Sequence, residues 1–262
     1  MNFIVTGGSS GIGREACALL AAAEHQVVLL DRAQPQAQAS PRAYVPLDQG
    51  DMASVDAAVA AVRGLGLRFD GLLNIAGIPP GTAAPAQVLK VNFLGVRRLS
   101  EALLPLLAEG ASIVNVASRA GAQWREHLPQ VRELLALRDA GQADAFVQAH
   151  ALDSTRAYNL SKEAVIAWTV AQCEPLIARG VRINAVSPGA VSTAILGDFR
   201  AAFGARVDRM IDRVGRPGDP AEVAQVLCFL AQPASRWING ADIPVDGGMG
   251  ALAAADQLQL GA

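Results

Sequence analysis

The run Phe3-Ile4-Val5-Thr6-Gly7-Gly8-Ser9-Ser10-Gly11-Ile12-Gly13 reads as an apolar strand that enters a glycine turn and opens directly into a helix beginning near Arg14. Three spaced glycines alone describe many tight turns; their place between a strand and a helix carries the meaning. Without side chains the backbone there approaches a pyrophosphate closely, and the charge meets the unpaired N–H groups at the helix N-terminus. Gly7, Ser9, Ser10, Gly11, Ile12 and Gly13 are therefore candidate cofactor-binding positions. A second apolar run, Val27 to Leu30, leads into Asp31-Arg32 and puts a carboxylate 18 positions after Gly13. A dinucleotide fold uses an acid at that place to accept hydrogen bonds from the adenosine ribose hydroxyls. The same charge repels a 2′-phosphate, and the turn holds no basic residue to offset it. NAD is thus favoured over NADP despite the neighbouring Arg32.

Outward from this unit the alternation repeats. Short apolar runs recur at Gly71 to Asn74, Ser112 to Val116, Arg182 to Val186 and Asp242 to Val245, separated by Ala- and Leu-rich helical stretches such as Glu15 to Ala23 and Ser54 to Val62. Strands with continuous apolar character fit a parallel sheet covered by helices on both faces. With right-handed crossovers this gives a doubly wound α/β Rossmann domain of about seven strands. No Gly/Ser linker, composition shift or repeat divides the 262 residues, which predicts one domain over 1–262. The alternation breaks from Arg119 to Ala157, where Pro129 to Asp139 and Ala143 to His150 carry helical spacing. We read 119–157 as a helical insertion.

Composition narrows the partners. A hydrophobic content of 52% supports a large core, and a net charge of −2 offers no basic surface for nucleic acid, which leaves a small molecule. No apolar run reaches the ~18 residues of a membrane helix and no charged leader precedes the first strand, so a cytoplasmic location without membrane contact is expected. Cys17, Cys173 and Cys228 are odd in number and lie in apolar helical stretches, as reduced thiols do. His25, His127 and His150 have no ligand spacing, so no metal site is expected, and Trp124, Trp168 and Trp237 read as packing residues.

The chemistry-bearing residues cluster further along. Tyr158-Asn159-Leu160-Ser161-Lys162 falls on an expected helix, where i, i+4 spacing puts the phenol and the ammonium on one face. A nearby cation favours the phenolate and draws its pKa down from about 10 toward the working range, which suits proton transfer during carbonyl reduction or alcohol oxidation. Ser118 ends the run Ile113 to Ala117 at the carboxyl end of a parallel strand, where such sheets place their ligand crevice. It is positioned either to orient a substrate oxygen or to cap a loop. Asn92, polar within Val91-Asn92-Phe93-Leu94-Gly95, must satisfy its amide, through a water relay or through neighbouring backbone.

Taken together these residues resemble the short-chain dehydrogenase/reductase superfamily over nearly the whole chain. The superfamily's glycine motif matches Thr6 to Gly13, and its adenine-contacting aspartate falls on Asp48 in Leu47-Asp48-Gln49. Its Asn-Asn-Ala-Gly motif matches Asn74-Ile75-Ala76-Gly77, with Ile75 in place of the second asparagine. Its catalytic tetrad falls on Asn92, Ser118, Tyr158 and Lys162, its Pro-Gly segment on Ser187 to Thr193, and its Asp-Gly-Gly ending on Asp246 to Gly248. The resemblance implies that Ser118 and Tyr158 hold a carbonyl oxygen, Tyr158 passes the proton, Lys162 also binds the nicotinamide ribose, and Asn92 holds a relay water. It further implies that Asp48, Gln49, Asn74, Ala76, Gly77, Val191 and Thr193 line the NAD site. Thirty-nine residues lie between Ser118 and Tyr158. That length resembles the bacterial 3α-hydroxysteroid dehydrogenase/carbonyl reductase branch, in which inserted helices cover a surface that relatives use to form tetramers. A homodimer through the last helix and strand, with an assembly role for the insertion, is implied.

The superfamily's substrate loop corresponds to residues 194–214, and here it supplies Ile195, Leu196, Phe199, Phe203, Met210 and Ile211. An apolar lid points to a lipophilic substrate, a hydroxysteroid or other carbonyl compound, with coniferyl-type aromatic alcohols as the alternative. The reading from another class, a non-catalytic NAD(H)-sensing Rossmann protein, has no need of all four tetrad residues.

Overall fold

A computed structural model of the protein describes residues 1–35 and 41–260. Its first elements are β1 (Asn2–Thr6), α1 (Gly11–Ala22), β2 (Gln26–Asp31), β3 (Ala43–Pro46), α2 (Met52–Gly64) and β4 (Phe69–Asn74), all but β3 expected from sequence. Then come α3 (Pro85–Leu89), a π-helical turn (Lys90–Leu94), α4 (Gly95–Leu103) and β5 (Leu107–Val116). The insertion holds α5 (Leu128–Ala136) and α6 (Ala143–Ala149), and α7 (Ser154–Ile177) follows it. The chain continues with β6 (Arg182–Pro188), α8 (Leu196–Phe203), α9 (Ala205–Val214), α10 (Pro220–Ala231), β7 (Asp242–Val245) and α11 (Met249–Leu258).

All seven strands pair in parallel in the order β3-β2-β1-β4-β5-β6-β7, the doubly wound arrangement the alternation predicts. Successive side chains of a strand feed opposite faces, so one apolar run supplies two cores. Ile4, Val28, Leu72 and Ile113 pack with α2, α4 and α7, whereas Phe3, Val5, Leu29 and Val114 pack with Ala16, Cys17 and Leu20 of α1 and with Val223 and Leu227 of α10. Cys17, Cys173 and Cys228 are all free thiols, and burial pushes Cys17 up to about 12 and Cys228 up to about 11.

Several boundaries differ from the sequence reading. α1 begins at Gly11 rather than near Arg14, because the Arg14 N–H already bonds the Ser10 carbonyl at 3.0 Å, closing the first helical turn over the glycines. The seventh strand, Ala43–Pro46, is a four-residue edge with one fully buried position and a closing proline, too short and too little apolar to register as a run. The first inserted helix ends at Ala136, leaving residues 137–139 outside it. Trp168 is buried and Trp124 packs against the core, but Trp237 is 96% exposed and has no packing role within the chain. Among the described residues no helix is long and apolar enough to cross a membrane.

Candidate active site

Strand order reverses between β1 and β4, and the crevice opens at their carboxyl ends. Thr6 closes β1, and its hydroxyl accepts hydrogen bonds from the backbone N–H groups of Ile75 (3.0 Å) and Ala76 (3.1 Å), drawing the loop after β4 onto the glycine turn. Sequence reasoning passed over Thr6; a hydroxyl at the strand end just before the turn was the available signal. Gly7 adopts φ +72°, and a Cβ there would lie 2.8 Å from the Ala76 backbone, so both conformation and contact demand glycine. Gly11, at φ +49°, faces Thr193, whose Cγ2 lies 3.3 Å from where a Cβ would stand. The segment after β6 is thereby brought to the turn, with Val191 buried beside it. Ser10 precedes α1 without making a side-chain cap, which leaves the first-turn N–H groups, at Gly11, Ile12 and Gly13, without a side-chain acceptor. Asp31 accepts from the Ser9 N–H (3.0 Å) and the Ala33 N–H (3.1 Å), and each carboxylate oxygen retains a lone pair for a further donor. Arg32 is exposed. A cradle that a Cβ would fill, an uncapped helix start and a carboxylate at the end of β2 fit the pyrophosphate and adenosine ribose of the dinucleotide expected from sequence.

Three other expected cofactor residues are held differently. Asn74 is 2% exposed, and its amide donates to Ser100 Oγ (2.9 Å) and Asn115 Oδ1 (2.8 Å) inside the sheet, which leaves the crevice only its main chain. Gln49 likewise turns inward and donates to the Val91 carbonyl at 2.7 Å, tying the end of β3 to the π-helical turn. Asp48 accepts from the Gly50 N–H at 2.9 Å. Side-chain direction at strand ends depends on neighbours far along the chain, which local spacing does not encode.

The four candidate catalytic residues converge beside this crevice. α7 is capped by Asp153, which accepts from the Arg156 N–H, and it carries Tyr158 and Lys162 toward β5. The Lys162 ammonium donates to the Val116 carbonyl at 2.9 Å and stands 5.9 Å from the Tyr158 ring centroid. Gly77 faces both Lys162 Nζ and Asn92 Oδ1, at 3.6 and 3.1 Å from its Cβ position. Ser118 follows β5 and accepts from the Ala120 N–H at 3.1 Å. The Asn92 amide lies within the π-helical turn, accepting from the Ile78 N–H (2.8 Å) and donating to the Ile78 carbonyl (3.0 Å). Its side chain is thus held by neighbouring backbone, the second of the two expected uses of the amide. A π-turn re-aims a backbone that a regular helix would satisfy internally.

The lid closes over the phenol. Phe199 and Phe203 of α8 meet the Tyr158 ring edge-on, with centroids 5.4 and 6.4 Å away and interplanar angles of 70° and 67°. Tyr158 is only 4% exposed. Burial pushes its phenol up to about 12, while the Ser118 hydroxyl, hydrogen-bonding toward it, acts downward. The sequence expectation is that the nearby Lys162 cation favours the phenolate; loss of solvent acts against this and also pulls the lysine down to about 8.

These shifts predict an alkaline stability rise. Between about pH 8 and 10.5 the unfolded chain keeps a proton on Lys162 that the folded chain has released, so stability grows with pH. Between about pH 10 and 12 the folded chain keeps a Tyr158 proton that the unfolded chain loses, and stability falls. Urea unfolding from pH 7 to 10.5 should show the rise, and Lys162→Met should abolish it; a flat profile in the wild type would contradict the buried environment of this amine.

A family model described as short chain dehydrogenase matches residues 2–130, and one described as enoyl-(acyl carrier protein) reductase matches 143–250. The stretch between the two matches lies within the insertion. The chain is 38% identical to the coniferyl-alcohol dehydrogenase of Pseudomonas sp. strain HR199, over 94% of this chain and 95% of that protein. It is 31% identical to the 3-alpha-hydroxysteroid dehydrogenase/carbonyl reductase of Comamonas testosteroni, over 95% and 96% of the two chains. Its fold matches the crystal structure of the 3-alpha-hydroxysteroid dehydrogenase from Pseudomonas sp. B-0831 complexed with NADH, with TM-score 0.86, 34% identity and coverage of 97% and 99%.

Proposed function

Since the chain belongs to the short-chain dehydrogenase/reductase family of oxidoreductases, we propose that it is an NAD(H)-dependent dehydrogenase interconverting a lipophilic alcohol and its carbonyl compound. The observation that carries this reading is the junction of the glycine cradle with Tyr158 and Lys162 under an aromatic lid. Gly7 to Gly13 would hold the pyrophosphate, Asp31 the adenosine ribose, and Val191 and Thr193 the carboxamide side, with Asp48, Ala76 and Gly77 along the same crevice. When bound there, a nicotinamide dinucleotide would supply or accept the hydride. Ser118 donates to the substrate oxygen, and Tyr158 passes the proton to or from it. Lys162 holds its charge beside both the phenol and the ribose position, a role that its amine performs best below its pKa of about 8.

Two ring-bearing substrate classes fit the lid. The hydroxysteroid or carbonyl reading rests on the long insertion and the 0.86 TM-score. A coniferyl-type aromatic alcohol is the second reading, favoured by the 38% identity and by two phenyl edges set against Tyr158. We further read the chain as one domain working in the cytoplasm as a homodimer through the last helix and strand expected from sequence, which are α10 and β7, since the sequence does not predict the short α11 that follows β7. Phe229, 45% exposed, and Trp237 offer an apolar face there, and sedimentation velocity gives the protomer count.

The test is NADH formation at 340 nm from NAD⁺ or NADP⁺ with 3α-hydroxysteroids, coniferyl alcohol and simple secondary alcohols. Turnover with NAD⁺ and one ring class selects the substrate. A preference for NADP⁺ would sink the reading of Asp31, and NADH binding without turnover on any alcohol would favour a sensor.

A further inference from the structure

One buried carboxylate lies outside this mechanism. Glu163 directly follows Lys162 on α7, and its side chain is 1% exposed. Arg156, two turns earlier, grips both of its oxygens, at 2.8 Å each, in a fork-to-fork pair. His127 Nδ1 stands 2.8 Å from the same carboxylate, and Gln130 accepts from the Arg156 guanidinium at 2.6 and 3.1 Å. His127 precedes α5 and Gln130 belongs to it, so the cluster joins the insertion to the catalytic helix.

Helical geometry gives the join a direction. At about 100° per residue, the Arg156 and Glu163 pair lies roughly 130° around α7 from Tyr158 and Lys162. One side of the helix therefore presents the proton-transfer groups to β5, and the other is bolted to α5. A second contact falls at the same level: a Cβ on Gly121, in the turn just after Ser118, would stand 2.7 Å from the Lys162 carbonyl carbon and 2.9 Å from the Glu163 nitrogen. The segment leaving the catalytic serine thus runs flush against the backbone of the catalytic lysine. A desolvated ionic cluster adds little net stability compared with an apolar one, but the Arg156–Glu163 fork within α7 holds both side chains in place, so that Glu163 meets His127 and Arg156 meets Gln130, the bonds that tie α7 to the insertion.

We propose that Glu163, with Arg156 and His127, is a positioning residue: the insertion backs α7 through this cluster and thereby sets where Tyr158 and Lys162 stand. The inference rests on the oxidoreductase reading for its kinetic part only. Arg156→Lys tests it, because the charge facing Glu163 is kept while the paired bonds from the guanidinium to Gln130 of α5 are lost; His127→Ala, at a half-exposed position, is the milder second variant. The expected result for Arg156→Lys is a melting temperature like the wild type and a kcat lower by about ten- to a hundredfold, as for a misplaced catalytic group, with KM for alcohol and NAD⁺ unchanged. Faster amide hydrogen exchange at residues 157–163 should accompany it. Unchanged kcat in both variants, or a loss of kcat that merely tracks loss of folded protein, overturns the proposal. If the wild type oxidises no alcohol, the oxidoreductase reading fails by itself; exchange at 157–163 then decides the clamp, with unchanged exchange overturning it.

Discussion

Tyr158→Phe should lower kcat by about 10²- to 10⁴-fold while leaving the fold and NADH affinity intact. The substitution removes one oxygen from a ring that is almost wholly buried, and the edge contacts with Phe199 and Phe203 persist for a phenyl group. No backbone hydrogen bond depends on the hydroxyl, so its loss does not unpair a buried partner of the main chain. What is withdrawn is the phenol's hydrogen bond with Ser118 and, with it, the transfer of a proton to or from the substrate oxygen. Single-turnover NADH formation gives the kinetic effect, titration calorimetry the NADH affinity and thermal unfolding the stability. A variant within tenfold of wild-type kcat would remove the phenol from the mechanism and place the proton transfer elsewhere.

Gly13→Ala carries the other large expected effect, on binding. A Cβ at this position would lie 2.1 Å from the Gly7 carbonyl oxygen and 2.6 Å from its carbon. Both are backbone atoms of the turn itself, and neither can rotate away as a flexible side chain would. Relief requires moving the glycine turn off α1, which displaces the N–H groups that would face a pyrophosphate. NADH affinity should fall by about a hundredfold or more, ~2.7 kcal/mol, together with a lower Tm. The control is Gly64→Ala at the end of α2, where a Cβ meets nothing within 4 Å. That variant should gain about 0.5–1 kcal/mol, because alanine loses less backbone freedom on folding. Equal effects at the two positions would mean that contact at Gly13 is not what demands glycine.

How much was legible in the chain differs residue by residue. The turn from Thr6 to Gly13, the acid at Asp31 and the pair Tyr158 and Lys162 are local patterns, since strand-turn-helix geometry and i, i+4 spacing act within a few residues. Each appears where the pattern puts it, and the seven-stranded parallel sheet follows from the alternation. The edge strand Ala43–Pro46 was illegible because an edge buries too little to leave an apolar signature. Asn74 and Gln49 read as cofactor contacts, yet their amides turn toward Ser100, Asn115 and Val91. Glu163 carries no local signal, because its partner His127 and the Gln130 that holds Arg156 both come from the insertion.

The amino-acid sequence by itself determined the fold class, because short-range periodicity and backbone sterics carry it, and the resemblance of its motifs to a known family named the candidate reacting groups. Only the tertiary structure decided the setting in which those groups work. Phe199 and Phe203 stand some forty positions after Tyr158 yet bury its ring, and that loss of solvent moves the phenol upward, against the Ser118 hydroxyl. Desolvation and buried ion pairing depend on what lies within a few ångströms in space, and such proximity exists only after the chain has packed.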